Sequence, residues 1–259
     1  MTKNIFSLEN KVVVVTGGYG FLGKAICLGL SEAGAKVYLT GKELDKLNEV
    51  AAEINGKNIE VLDLDIRYSS SIQKGIESIW EKEKRVDVLL NNAVYGKQGD
   101  ALDANDSEWF LGIDGTVGGV YRATKAIIPY LEKNKCGTII NIASMYGIVS
   151  PDPSVYDENS QSSPPSYAIG KAGIIQYTRY AACHLGSRGI RVNCVSPGPF
   201  PDLSIQTSAK FIENLKKKNP LGRIGVPNDM VGIVIFLASD ASSFITGQNI
   251  CIDGGWTAW

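Results

Sequence analysis

The sequence predicts a single-domain α/β chain: a doubly wound parallel sheet of about seven strands with helices on both faces. Three observations predict it. Short apolar runs rich in β-branched residues alternate with helix-like stretches, and the connections between them are short. The first run, Val12–Val15, is apolar at every position, as a strand buried on both faces of a parallel sheet requires. A glycine-rich turn follows it directly. With 259 residues, 44% of them hydrophobic, the chain has enough apolar surface for one large core, and neither an internal repeat nor a linker divides residues 1–259.

The elements follow in order. After Val12–Val15, Gly18-x-Gly20-x-x-Gly23 matches the dinucleotide-binding fingerprint of a Rossmann sheet, in which glycines allow a tight turn and close approach of the backbone to pyrophosphate. The next helix, roughly Leu22 to Ala33, offers free N–H groups and the positive end of its dipole to phosphate. Gly18-x4-Gly23-Lys24 nearly spells a nucleoside-triphosphate loop, but Ala25 stands where a magnesium-binding Ser or Thr is needed, so phosphoryl transfer is rejected. Further strands are expected at Val37–Leu39, Ile59–Leu62, Val86–Leu90, Thr138–Ile142, Arg191–Val195 and Asn249–Ile252. Between the fifth strand and the next helix lies Ser150 to Pro165, too rich in Pro, Ser and Asp for a helix. Ligands of such sheets bind outside the carboxyl ends of the strands, so this loop is expected to wall a substrate pocket.

Composition narrows the function. A net charge of −1 implies neither nucleic-acid nor anionic-membrane binding. No apolar run reaches the ~18 residues of a membrane span, and the start at Met1 shows no leader, so a cytoplasmic protein is expected. Cys27, Cys136, Cys183, Cys194 and Cys251 lack metal-ligand spacing and are read as buried thiols in a reducing compartment, with no metal. His184 is the only histidine, which removes Ser-His-Asp hydrolysis and the common histidine base.

Tyr167-Ala-Ile-Gly-Lys171 then becomes the chemical centre. Residues four apart share a helix face, so the Lys171 ammonium is expected beside the Tyr167 phenol, favouring its ionised form. A phenol with an ordinary pKa of about 10 would thereby become a usable acid or base.

Taken together these motifs resemble the short-chain dehydrogenase/reductase family nearly end to end. Thr16-Gly17 with Gly20 and Gly23 is similar to its cofactor loop, Asn91-Asn92-Ala93 to its fourth-strand motif, Ser144 with Tyr167 and Lys171 to its catalytic set, and Ser196-Pro197-Gly198 to its nicotinamide-side turn. Leu221 to Gly225, Phe236 to Asp240, Thr246 to Gln248 and Asp253 to Trp256 resemble its C-terminal segment. The resemblance implies NAD(P)-dependent interconversion of a carbonyl and a secondary alcohol. In it Tyr167 moves the hydroxyl proton, Ser144 hydrogen-bonds the substrate oxygen, and Lys171 holds the nicotinamide ribose. It also implies cofactor contacts from Gly17, Gly18, Tyr19, Gly20, Phe21, Leu22, Asp65 (with Asp63 as competitor), Ile66, Asn92, Ala93, Pro197 and Gly198. Tyr156 and Phe200 join Ser144 and Tyr167 as candidate substrate contacts.

Three departures mark this chain. Its glycine spacing puts Phe21 where the family's single-domain members usually have glycine. Thr116 takes the slot of the relay asparagine, and the Ser150–Pro165 insertion lengthens the Ser144–Tyr167 interval. The second strand ends Thr40-Gly41-Lys42 without the carboxylate that NAD enzymes use, so Lys42 and NADP(H) are expected, with Glu43 keeping NAD open. The ending, the turn Ser196 to Pro201 and the insertion resemble a bacterial subgroup associated with flagellin and surface-glycan sugars, including nonulosonic acids. A sugar-like or polyol substrate is the first reading. A fatty-acid-type 3-ketoacyl-thioester reductase is the alternative, and a non-catalytic cofactor sensor is a third. The resemblance implies a homodimer or homotetramer. Ile169, Ala172, Ile174, Ile175, Tyr177 and Ala181, with the tail Trp256 to Trp259, offer apolar surface for a neighbour.

Overall fold

Among the described residues of the computed structural model, 4–54, 58–96, 104–157, 162–206 and 208–259, the β-branched runs become seven strands. They are β1 (Val12–Thr16), β2 (Lys36–Gly41), β3 (Ile59–Asp63), β4 (Val88–Asn91), β5 (Gly137–Ile142), β6 (Ile190–Pro197) and β7 (Asn249–Ile252). All pair in parallel, in the order β3-β2-β1-β4-β5-β6-β7. Every expected strand is present. The expected fourth strand starts two residues early, because Val86 and Asp87 precede the ladder, and most others extend by a residue or two at their ends.

Alternation along β1 sorts its side chains to two faces. Val13 and Val15 join Ile26, Leu30, Leu39, Ile140, Val195 and Leu237 in one apolar layer; Val12 and Val14 join Ile72, Ile76, Leu89, Ile127, Ile139 and Val192 in the other. All four valines are buried. At about 1.5–3 kcal/mol per buried aliphatic side chain, this outweighs a backbone-ordering cost of about 1–2 kcal/mol per residue.

Helices α1 (Phe21–Glu32), α2 (Leu44–Ile54), α3 (Ser69–Glu83), α4 (Asp106–Ile113), α5 (Gly119–Lys133), α6 (Pro165–Leu185), α7 (Ala209–Lys218) and α8 (Val231–Ala238) complete the layers. α4 and α5 are joined by a π-helical turn, Asp114–Gly118. Two close approaches explain why small residues stand there. A Cβ on Gly115 would fall 1.6 Å from the Tyr95 carbonyl oxygen, and one on Gly170 of α6 would fall 1.7 Å from Thr116 Oγ1. A comparable approach fixes the catalytic segment: a Cβ on Gly147 would lie 2.7 Å from the Lys171 carbonyl carbon, so the turn after Ser144 seats directly on the α6 backbone.

Residues 150–157 of the insertion pack against α7, and none of its described part lines the cleft at the carboxyl ends of the strands, where a pocket wall was expected. This stretch contains a 3-10 turn, Pro153–Val155, and is tied to α7 by a Lys218–Asp152 ion pair, by Ser208 Oγ donating to Asp157 (2.5 Å) and by Asn214 Nδ2 donating to the Val155 carbonyl (3.2 Å). Tyr156 stacks on Phe211 with ring centres 5.6 Å apart. Glu158 and Asn159, expected as part of this wall's polar cluster, lie outside the described residues.

Two burial expectations are corrected. Only Cys27 and Cys194 are buried; Cys136, Cys183 and Cys251 are exposed and free, because Cys136 precedes β5, Cys183 is on the outer face of α6 and Cys251 is on the edge strand β7. In the aromatic tail Trp256 packs inside its own chain with Met145, Val155, Phe211 and Leu215, whereas Trp259 is 77% exposed. On α6, Ile174, Ile175 and Ala181 face the core, Tyr177 is half-buried, and Ile169 and Ala172 face out.

Candidate active site

The carboxyl ends of β1, β4, β5 and β6 open into a cleft of about 850 Å³. Its floor is the glycine turn. Gly17 adopts φ +66°, and a Cβ there would come 2.8 Å from Ala93 Cα, so glycine is required on both counts. Thr16 stitches β1 to β4: its hydroxyl donates to the Leu90 carbonyl and accepts from the Asn92 and Ala93 N–H groups, each at 3.1 Å. Asn92 Nδ2 in turn donates to the Gly17 carbonyl at 2.9 Å. The first turn of α1 begins at Gly20 without a side-chain cap, leaving its N–H groups for an anion. A cradle that excludes a Cβ beside an uncapped helix start fits the pyrophosphate of a dinucleotide.

Gly17, Tyr19, Gly20, Phe21, Leu22, Lys42, Asp65, Ile66, Asn92, Ala93, Pro197, Gly198 and Phe200 all line this cleft, together with Ser144, Tyr167 and Lys171. Asp65 lines it and the competing Asp63 does not. Gly18 is corrected: it is buried beneath the turn, where a Cβ would strike Leu39, so it packs the floor instead of facing a ligand. Glu43 accepts from Tyr19 at 3.2 Å and pairs with Lys46 on the surface, contacts it would exchange to reach a ribose.

At the other end of the cleft, Ser144 leaves β5 with its hydroxyl near the Tyr167 phenol, whose ionised form it favours by hydrogen bonding. Lys171 is 4% exposed, donates to the Ile142 carbonyl at 2.7 Å, and lies 5.4 Å from the centre of the Tyr167 ring. Burial pushes its pKa down to about 8. The expected ionisation of Tyr167 by Lys171 is corrected: burial raises the phenol's pKa, and the Ser144 hydrogen bond only partly offsets this. Tyr167 is therefore held as a protonated acid in the unligated protein, suited to donating a proton to a developing alkoxide.

Thr116 lies outside the cleft. It is 3% exposed and its hydroxyl donates back to the Gly112 and Ile113 carbonyls at 2.9 and 3.1 Å, which stabilises the π turn against Gly170. Tyr156 also lies outside the main lining, beyond Ser144, with its hydroxyl 2.8 Å from that of Tyr146.

Sequence reasoning missed several residues. Arg67 lines the cleft and forms a bidentate pair with Asp65, holding that carboxyl below its usual pKa. Asn91 is buried and donates to Asn141, which donates to Thr178, a polar chain linking β4, β5 and α6. Arg122 grips Asp114 and the Ile66 carbonyl and donates to Tyr95, joining the loops after β3 and β4. Asn91 sits in a motif the sequence displayed; the partners of Arg67 and Arg122 had no sequence signal beyond their charge.

A family model described as "Enoyl-(Acyl carrier protein) reductase" matches residues 21–257. The chain belongs to the short-chain dehydrogenase/reductase family. It is accordingly an NAD(P)-dependent oxidoreductase of CH–OH groups, and the non-catalytic reading is set aside. It is 34% identical over 252 residues to the 3-oxoacyl-[acyl-carrier-protein] reductase FabG of Thermotoga maritima, covering 96% of this chain and 98% of the relative. A short chain dehydrogenase from Leptospira borgpetersenii, solved with bound NAD+, is 32% identical with a TM-score of 0.87, covering 99% of this chain and 97% of that one. The Pseudomonas aeruginosa RhlG/NADP active-site complex is 27% identical with a TM-score of 0.87, covering 97% and 98%.

Proposed function

We propose that this chain reduces a substrate carbonyl, or oxidises the corresponding secondary alcohol, with Tyr167 as proton donor and acceptor and Ser144 as the second donor to the substrate oxygen. The observation that carries it is the convergence of Ser144, Tyr167 and Lys171 on one cleft with the glycine cradle. The dinucleotide supplies or accepts the hydride. Ser144 and Tyr167 stabilise the charge left on oxygen, and Lys171, released from Ile142, holds the nicotinamide ribose. NADP(H) is the proposed partner, supported by Lys42 at the adenine end with no free carboxylate beside it. Arg67 is a second cation within that lining.

For the substrate, similarity to 3-oxoacyl-[acyl-carrier-protein] reductases supports an acyl thioester better than the glycan-sugar reading of the sequence. The hydroxylated ketone stays as a second reading because the paired phenols of Tyr146 and Tyr156 stand beside the catalytic tyrosine. A cytoplasmic setting fits five free cysteines. Among the described residues no helix is long and apolar enough to cross a membrane. Self-association through α4–α6 is supported by the exposed Phe110, Tyr121, Ile169 and Tyr180. The purified protein, incubated with NADPH or NADH and panels of 3-oxoacyl thioesters, keto-sugars and nucleotide sugars, tests the reading through nicotinamide absorbance. No consumption of either coenzyme with any carbonyl would overturn it.

A further inference from the structure

Tyr146 and Tyr156 are brought together by two independent pieces of chain. Tyr146 follows Ser144 by two residues, and its N–H donates to Ser144 Oγ at 3.1 Å, so its position is coupled to the catalytic serine. Tyr156 comes from the insertion and is held by stacking on Phe211 and by the contacts of Asp152, Val155 and Asp157 with α7. The two hydroxyls meet at 2.8 Å. In a pair of this kind one hydroxyl donates to the other, which uses one of two protons. Among the described residues no protein group accepts the second proton, which is left for solvent or a bound ligand. Both side chains are only partly exposed, and Tyr146 is buried enough that its ionisation is strongly disfavoured, first by desolvation and then by Tyr156. Tyr156 and Tyr146 each lie within electrostatic reach of Tyr167. An apolar wall beside Ser144 would be served by phenylalanine at both positions; two phenols with a spare donor are not explained by packing.

Resting on the oxidoreductase reading above, we propose that Tyr146 and Tyr156 are specificity-determining residues whose coupled hydroxyls bind a second oxygen of the substrate, one or two carbons from the carbonyl held by Ser144 and Tyr167. Two substrate sources carry that chemistry. A 2-hydroxy ketone presents a neighbouring hydroxyl, and a 3-oxoacyl thioester presents its thioester carbonyl. A ketone with one oxygen leaves the spare donor unpaired, and sites built to hydrogen-bond an oxygen discriminate strongly against analogues that lack it.

The test compares wild type, Tyr146→Phe, Tyr156→Phe and the double variant on two matched pairs: 2-hydroxycyclohexanone against cyclohexanone, and the S-ethyl thioester of acetoacetate against 4-(ethylthio)butan-2-one. For at least one pair, wild type is expected to favour the two-oxygen member in kcat/KM, and each single variant to cut that preference about tenfold or more. Because the phenols act as a pair, the double variant is expected to lose little beyond either single one. Which pair responds identifies the source. Dinucleotide binding, followed by fluorescence, reports that the cleft still folds in each variant. Preference that is absent in wild type, preference unchanged in both single variants, or silence of both pairs overturns the assignment. The underlying oxidoreductase reading fails separately, if Tyr167→Phe keeps the wild-type rate on the responding substrate.

Discussion

The Lys171 ammonium lies 5.4 Å from the centre of the Tyr167 ring, yet its hydrogen bond goes to the Ile142 carbonyl of β5. The pair is thus poised rather than engaged. Tyr167 keeps its proton through burial, and Lys171 must give up the Ile142 carbonyl before it can serve the proposed ribose contact. Replacing Tyr167 by phenylalanine keeps the ring and removes the proton. Turnover is expected to fall by at least ~10²-fold, with dinucleotide affinity, read by fluorescence titration, largely retained.

Lys171 also sets a pH dependence of stability. Its folded pKa of about 8 lies below the unfolded value of 10.5. Between these values the unfolded chain binds the extra proton, so stability rises with pH across that window. Lys171→Met removes this contribution. Thermal melts of the ligand-free protein at about pH 7.5 and about pH 10.5, which bracket that window, are expected to show a more favourable change with rising pH in wild type than in the variant.

Lys42 is exposed in the lining of the cleft, at its proposed adenine end. Lys42→Ala is expected to weaken NADPH roughly tenfold or more, as loss of one charge-assisted phosphate contact implies, and to leave NADH nearly unchanged. Titration of both coenzymes decides it; equal losses sink the assignment.

Thr116 and Gly170 meet where the π-helical turn Asp114–Gly118 packs on α6. Gly170→Ala forces a methyl group onto Thr116 Oγ1 and is expected to cost about 1–3 kcal/mol in chemical denaturation, a typical overpacking penalty. Thr116→Ala makes room, so the double variant is expected to be more stable than the sum of single effects predicts. Because the Thr116 hydroxyl is engaged with helix carbonyls, Thr116→Ala alone is expected to keep turnover within about tenfold of wild type, below the usual loss for a proton-transfer group.

Much of the site was legible because its signals are local. The strand Val12–Thr16 followed by Gly17, Gly20 and Gly23 announces a turn whose backbone must approach a ligand, and Tyr167 with Lys171 shares a helix face by spacing alone. Asp65 was separated from Asp63 only in three dimensions, by which of the two reaches the cleft. Gly18 looked like part of the phosphate turn and proved to pack on Leu39, since sequence order does not tell which side of a turn a residue faces.

By itself the sequence determined the parallel sheet and the glycine turn and singled out Ser144, Tyr167 and Lys171, which share one cleft, because strand periodicity, glycine conformation and helical spacing act over a few residues. Only the tertiary structure decided the state of Tyr167, the role of Thr116, the Asp65–Arg67 pair and the meeting of Tyr146 with Tyr156. Those outcomes depend on burial and on partners from separate segments. Desolvation and long-range hydrogen bonding are properties of the packed molecule, not of any stretch of chain.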